Sequence, residues 1–137
     1  MFGKKPSKPQ NRIDSLIGAG TRVEGSVIFS GGLRIDGEIK GDVASANDQP
    51  STVVVSEQAR IEGEVSVTHM VVNGTIIGHV HASEFLELQP RCRVTGDIHY
   101  TNLEIHLGAV VEGRLVHAAA TGGEGKAVEL KLAKGKN

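Results

Sequence analysis

The chain has 137 residues, enough for one domain with tails and too few for two catalytic lobes. Aromatic residues make up 3% of it, with 18 Gly and one Cys. A core must therefore come from Val, Ile and Leu, and neither a disulfide framework nor a Cys-based zinc site can be built. The formal net charge of -1 hides a segregated pattern: about +4 over residues 1–13, -7 over 14–117 and +2 over 118–137. An acidic body repels phosphate backbones, which argues against nucleic-acid binding.

In chain order, residues 1–13 come first, a Lys- and Pro-rich stretch expected to be disordered. Phe2 stands beside Lys4, Lys5 and Lys8, an apolar wedge among cations that suits an anionic lipid surface. No secretory signal or membrane-spanning helix is expected, because the aliphatic runs are too short.

Residues 14–117 carry a repeated pentad of the form aliphatic-x-Gly-x-aliphatic. Its glycines are Gly25, Gly41, Gly63, Gly78, Gly96 and Gly113, spaced 16, 22, 15, 18 and 17 residues apart. The longest interval holds the S-A-N-D-Q-P-S stretch at 45–51, which reads as a looped insertion. Apolar and polar residues alternate at period two between Gly, Asn and Pro, so each unit of about 18 residues is one coil of a β-solenoid with three short faces.

Aligned on the motif glycines, the coils give clean columns. Two residues before each Gly stand Val23, Ile39, Ile61, Ile76, Val94 and Val111, and two after it Val27, Val43, Val65, Val80, Ile98 and Leu115. Four before it the residues are small: Thr21, Gly37, Ala59, Gly74, Cys92 and Ala109. A third apolar column is Ile17, Ile35, Val55, Val72, Leu88 and Ile105, reached two residues sooner in coils two and four. The outward columns alternate in charge, Arg22, Glu38 and Arg60 for example, as parallel in-register stacking requires. Asp42 above Glu64 breaks that rule.

Residues 118–137 are Lys- and Gly-rich and are expected to be disordered as well. Nothing in A-A-A-T-G-G-E-G is suited to cover the apolar last coil, and no amphipathic helix precedes the first. Both ends are therefore expected to be open to a second copy, through Leu16, Ile17 and Val27 at one end and Leu103, Ile105, Leu107, Val111 and Leu115 at the other. The alternative is that the V-E-L-K-L pattern at 128–132 folds back as a cap.

The repeated pentads over residues 16–117, the charged flanks and the opening Met-Phe-Gly-Lys together resemble a bactofilin. The resemblance implies an all-β fold: a single-domain, right-handed, triangular parallel β-helix of about six coils between disordered tails. It implies a bacterial cytoskeletal scaffold that polymerises end to end, without nucleotide, into non-polar filaments on the inner face of the cytoplasmic membrane. Roles in cell shape and in placing cell-wall enzymes or morphogenesis proteins follow from the same likeness. Its Met-Phe-x-Lys start also supports membrane targeting by Met1, Phe2, Lys4, Lys5 and Lys8. No enzymatic activity, cofactor, metal or nucleotide is expected.

The alternatives are an acyltransferase or γ-type carbonic anhydrase on a left-handed β-helix, and a monomeric interaction module. Ile17, Val23, Phe29 and Ile35 keep a six-residue step, but Gly41 and Asn47 then fall in its register. His81, His99 and His117 lie 18 apart and suggest a metal ladder, yet the alignment puts Val116 in the column of His81 and His99. His69, His79 and His106 share no column and read as surface residues. Cys92 reads as a packing residue, and Glu62 and Glu64 as outward carboxylates on a convex rod.

Overall fold

A computed structural model describes residues 13–46 and 49–118, together with the backbone of Lys126–Val128. Among the described residues there is no helix. Short strands stack in three columns. One column is a six-stranded sheet of Arg22–Glu24, Glu38–Lys40, Arg60–Glu62, Thr75–Ile77, Arg93–Thr95 and Val110–Glu112, parallel throughout. The second begins with Val27–Phe29 and Val43–Ser45 and ends with Ile98–Tyr100 and Leu115–His117. The third runs from Ser15–Ile17 through Gly31–Ile35 and Ser51–Val55 to Leu103–Ile105. Two long strands, Val65–Val72 and Val80–Leu88, bend through the corner between the second and third columns and join them into one sheet.

Every aliphatic column expected from the alignment is in register. Val23, Ile39, Ile61, Ile76, Val94 and Val111 are successive Cα partners, as are Ile17, Ile35, Val55, Val72, Leu88 and Ile105. Apolar side chains from all three faces fill the axis, and most are fully buried. At about 4.8 Å per coil, six coils make a rod roughly 29 Å long.

The elastic spacing has a local cause. In coils one, three, five and six the corner before the six-stranded sheet is a turn closed by Thr21 N-H to Gly18 O, Ala59 N-H to Ser56 O, Cys92 N-H to Gln89 O and Ala109 N-H to His106 O. Coils two and four replace it by Asp36-Gly37 and Asn73-Gly74, two residues shorter. A Cβ on Gly37 or Gly74 would strike the carbonyl oxygens of the coil before, so only glycine fits these corners.

Two expectations need correction. His69 is not a surface residue: it is 5% exposed, and its Nδ1 lies 3.0 Å from Thr68 Oγ1. Thr68 in turn accepts from Ser51 N-H and donates to Ser51 O, tying the end of the 45–51 insertion to the next coil. The buried knot forms at a corner, where period-two alternation lapses. Nor is the last coil left uncovered. Lys126–Val128 pairs antiparallel with Leu115–His117, in the register Leu115 to Val128, Val116 to Ala127 and His117 to Lys126. This three-residue fold-back lies along one face and shares only Val128 with the 128–132 pattern, the rest of which lies outside the described residues.

Candidate functional site

A solenoid has two special surfaces, its ends, because there backbone groups and core side chains lack a next coil. At the first coil, Ser15–Ile17, Arg22–Glu24 and Val27–Phe29 each have a neighbour on one side only among the described residues. Ile17, Val23 and Val27 form its inward layer and are half-buried, whereas their counterparts one coil deeper, Ile35, Ile39 and Val43, are fully buried. Val23 belongs to this layer although the contact residues expected of this end are Leu16, Ile17 and Val27. Leu16, 59% exposed, is in register with the exposed Arg34 and so stands on the side wall beside the tip.

The last coil differs. Leu103 and Ile105 remain partly exposed, and Leu107 is 95% exposed on the corner turn. Val111 and Leu115, by contrast, are 0% and 2% exposed. Among the described residues, Leu103–Ile105 and Val110–Glu112 have an unpaired edge, while that of Leu115–His117 is taken by the tail strand. The eight expected contact residues thus divide. Leu107 is fully presented, Leu16, Ile17, Val27, Leu103 and Ile105 are presented in part, and Val111 and Leu115 are covered. Met1, Phe2, Lys4, Lys5 and Lys8 lie outside the described residues.

How one coil accepts the next can be read from the residue after each motif Gly. In three of the five steps between coils its N-H is received by the side chain at the same place in the preceding coil. Asp42 Oδ1 accepts from Glu64 N-H at 2.9 Å, His79 Nδ1 from Asp97 N-H at 3.1 Å, and Asp97 Oδ1 from Arg114 N-H at 3.1 Å. The Asp42 and Glu64 juxtaposition is thereby relieved, since Asp42 caps the backbone and Glu64 pairs with His81 at 2.8 Å. Hydrogen bonds from Arg114 hold the Asp97 carboxyl below its usual range.

The histidines divide as the alignment implies. His81 and His99 are register partners and their rings stack at 4.5 Å, whereas His117 pairs with Tyr100 instead. Burial, and then the His81 ring, push the His99 pKa down, and its Nδ1 is buried without a hydrogen-bond partner. A grouping not anticipated from the sequence is Glu87, Glu104 and His106. The two carboxylates are register partners, and His106 Nε2 lies 2.9 Å from Glu87 and 3.4 Å from Glu104. Its ring bridges the two facing carboxylates on the side of the rod, a contact legible only once Glu87 and Glu104 are known to be register partners.

The alternating corners also leave an open groove of about 450 Å³ lined by Arg34, Asp36, Ser56, Glu57, Asn73 and Gln89 among others. A hydrogen bond from Ser56 and the Arg34 guanidinium hold Asp36 below its usual range, the reverse of what a general acid at neutral pH needs. Cys92 is buried, and desolvation raises its thiol pKa to about 11, consistent with a packing role. No helix of the described residues is long and apolar enough to cross a membrane.

Comparison with known proteins agrees with this architecture. Residues 15–116 match the family model described as bactofilin, polymer-forming cytoskeletal. The chain is 25% identical over 112 residues to bactofilin BacP of Myxococcus xanthus (strain DK1622), an alignment covering 82% of this chain and 45% of that one. It is 26% identical over 102 residues to bactofilin BacO of the same organism, covering 74% of this chain and 78% of the relative. It therefore matches less than half the length of BacP. No solved structure matches it.

Proposed function

We propose that this chain, which belongs to the bactofilin family of polymer-forming cytoskeletal proteins, is a scaffold that assembles end to end into filaments without nucleotide. The observation that carries the reading is the half-buried, unpaired layer of Ile17, Val23 and Val27 at the first coil, beneath which the same columns are fully buried. A joint of roughly 10 backbone hydrogen bonds contributes about 1 kcal/mol each. That only matches an association cost of about 4 to 15 kcal/mol. Apolar burial at about 25 cal/mol per Å² has to supply the surplus, and the tip side chains are what can provide it.

The filament lies on the inner face of the cytoplasmic membrane, held by the Phe2 wedge and Lys4, Lys5 and Lys8. One such arm binds weakly, at about 1 kcal/mol per cation. A filament presents many arms at once, which raises apparent affinity roughly 10²- to 10⁴-fold and couples attachment to assembly. Cell shape and the positioning of cell-wall or morphogenesis proteins are the roles that suit such a scaffold. Bactofilins are cytoskeletal proteins, and this chain acts by assembly, not by catalysis. Sedimentation of the purified chain in nucleotide-free buffer tests the proposal: it predicts pelletable polymer above a critical concentration, and a single small species at every concentration refutes it.

A further inference from the structure

The two ends of the rod are not equivalent. All the coil-to-coil pairings in the body are parallel, yet the edge beyond Leu115–His117 is filled by an antiparallel strand, Lys126–Val128. Antiparallel pairing is the geometry that two copies of one edge make when a two-fold axis relates them. The tail strand therefore sits where a second copy meeting this tip head to head would place its own Leu115–His117. Val111 and Leu115 are buried, while Val23 and Val27, the same motif positions in the first coil, are only half-buried. Charge favours the arrangement too, since residues 118–137 carry about +2 against about -7 on the body.

We propose that the segment 126–128 is a displaceable cap on the C-terminal tip, occupying the edge a second copy needs, so that the N-terminal tip joins first and the other only after cap release. This rests on the scaffold reading above and adds its regulation. A three-residue pairing is short enough to open, and the basic tail makes its docking weaker as salt rises. Deletion of the tail and addition of salt should thus both speed assembly.

The register supplies the test. Val116 and Ala127 are directly opposed, at the Cα separation of about 4.5 to 5.5 Å of antiparallel partners, inside the span of about 4.4 to 6.8 Å that a disulfide bridges. In the full chain carrying Val116→Cys and Ala127→Cys, oxidation should form an intramolecular disulfide and lower the pelleted fraction at least tenfold, leaving single rods or pairs joined at their N-terminal tips. Reduction should restore polymer. A chain ending at residue 118 should assemble with a lag several-fold shorter than the full chain. Failure of the disulfide to form, unchanged pelleting after oxidation, or an equal lag for the shortened chain each overturns the cap while wild-type polymer leaves the scaffold reading standing. Wild-type chain that never pellets overturns the scaffold reading, and the cap's role with it.

Discussion

Gly63 lies directly over the Gly41 carbonyl oxygen, so closely that a methyl group on Gly63 would overlap it, and the same holds for each motif glycine above its predecessor from Gly41 to Gly113. The pentad glycine is therefore a condition for coils to approach to strand spacing. Gly63→Ala sets methyl against backbone, which cannot swing aside, and should cost on the order of 3 kcal/mol or more. Gly18, with open space around it, is the control: Gly18→Ala should be neutral or gain roughly 0.4 to 1 kcal/mol. Urea denaturation of the two variants measures the contrast, and equal midpoints would refute the stacking role.

Leu107 projects from the last coil with almost its whole surface in solvent. Leu107→Asp should leave the melting temperature of the unassembled rod unchanged, since isolated surface substitutions usually stay within about 0.5 kcal/mol. If the tip is a joint, the loss of one buried leucine, about 1.5 to 3 kcal/mol, should raise the critical concentration for assembly roughly tenfold or more. An unaltered critical concentration would remove Leu107 from the interface.

Acid should destabilise the solenoid in two stages. Burial lowers the His99 pKa, so the folded state favours the neutral ring. That contribution is fully present above the ordinary histidine value of about 6.5 and is lost as pH falls through the lowered folded value. Asp36 and Asp97 are also lowered, by Ser56 and Arg114 respectively, and their stabilisation is lost only further down, below the ordinary carboxylate range of about 4. Thermal melts from pH 8 to pH 3 should show both declines, and His99→Gln should flatten the first and spare the second.

Cys92 packs in the small column at the corner, and its thiol is raised to about 11 from an ordinary 9.0. A rise of that size leaves about a hundredfold less thiolate at pH 8. Iodoacetamide should label the native chain far more slowly than the urea-unfolded chain. Equal rates would mean that this corner opens readily.

Phe2 carries the apolar part of the proposed membrane contact. Phe2→Ser should abolish co-sedimentation with anionic vesicles and leave polymer formation intact. Unchanged co-sedimentation would show that cations alone suffice.

The ladder was legible in the sequence because two signals coincide in it, a glycine that must recur for steric reasons and aliphatic residues that must alternate about it. Even the two-residue difference at coils two and four was readable, since Ile35 and Val72 approach their glycines by that amount. Other features carry neither signal. His69 sits at an aperiodic corner, where its neighbour Thr68 bonds both its ring and Ser51 of the adjoining coil. Asp42 looked like a charge repelling Glu64 because a sequence lists side chains, whereas the partner of Asp42 is a backbone N-H. The tail strand has no motif glycine and pairs antiparallel, so alignment on the pentad could not set its register.

The central claim, growth by stacking coil upon coil, fixes how strands lie in the polymer. Diffraction or electron microscopy of filaments grown without nucleotide should give a repeat of about 4.8 Å along the filament axis and an advance per copy of roughly 29 Å. Filaments with the strand repeat running across the axis, or isolated rods at high concentration, would contradict it.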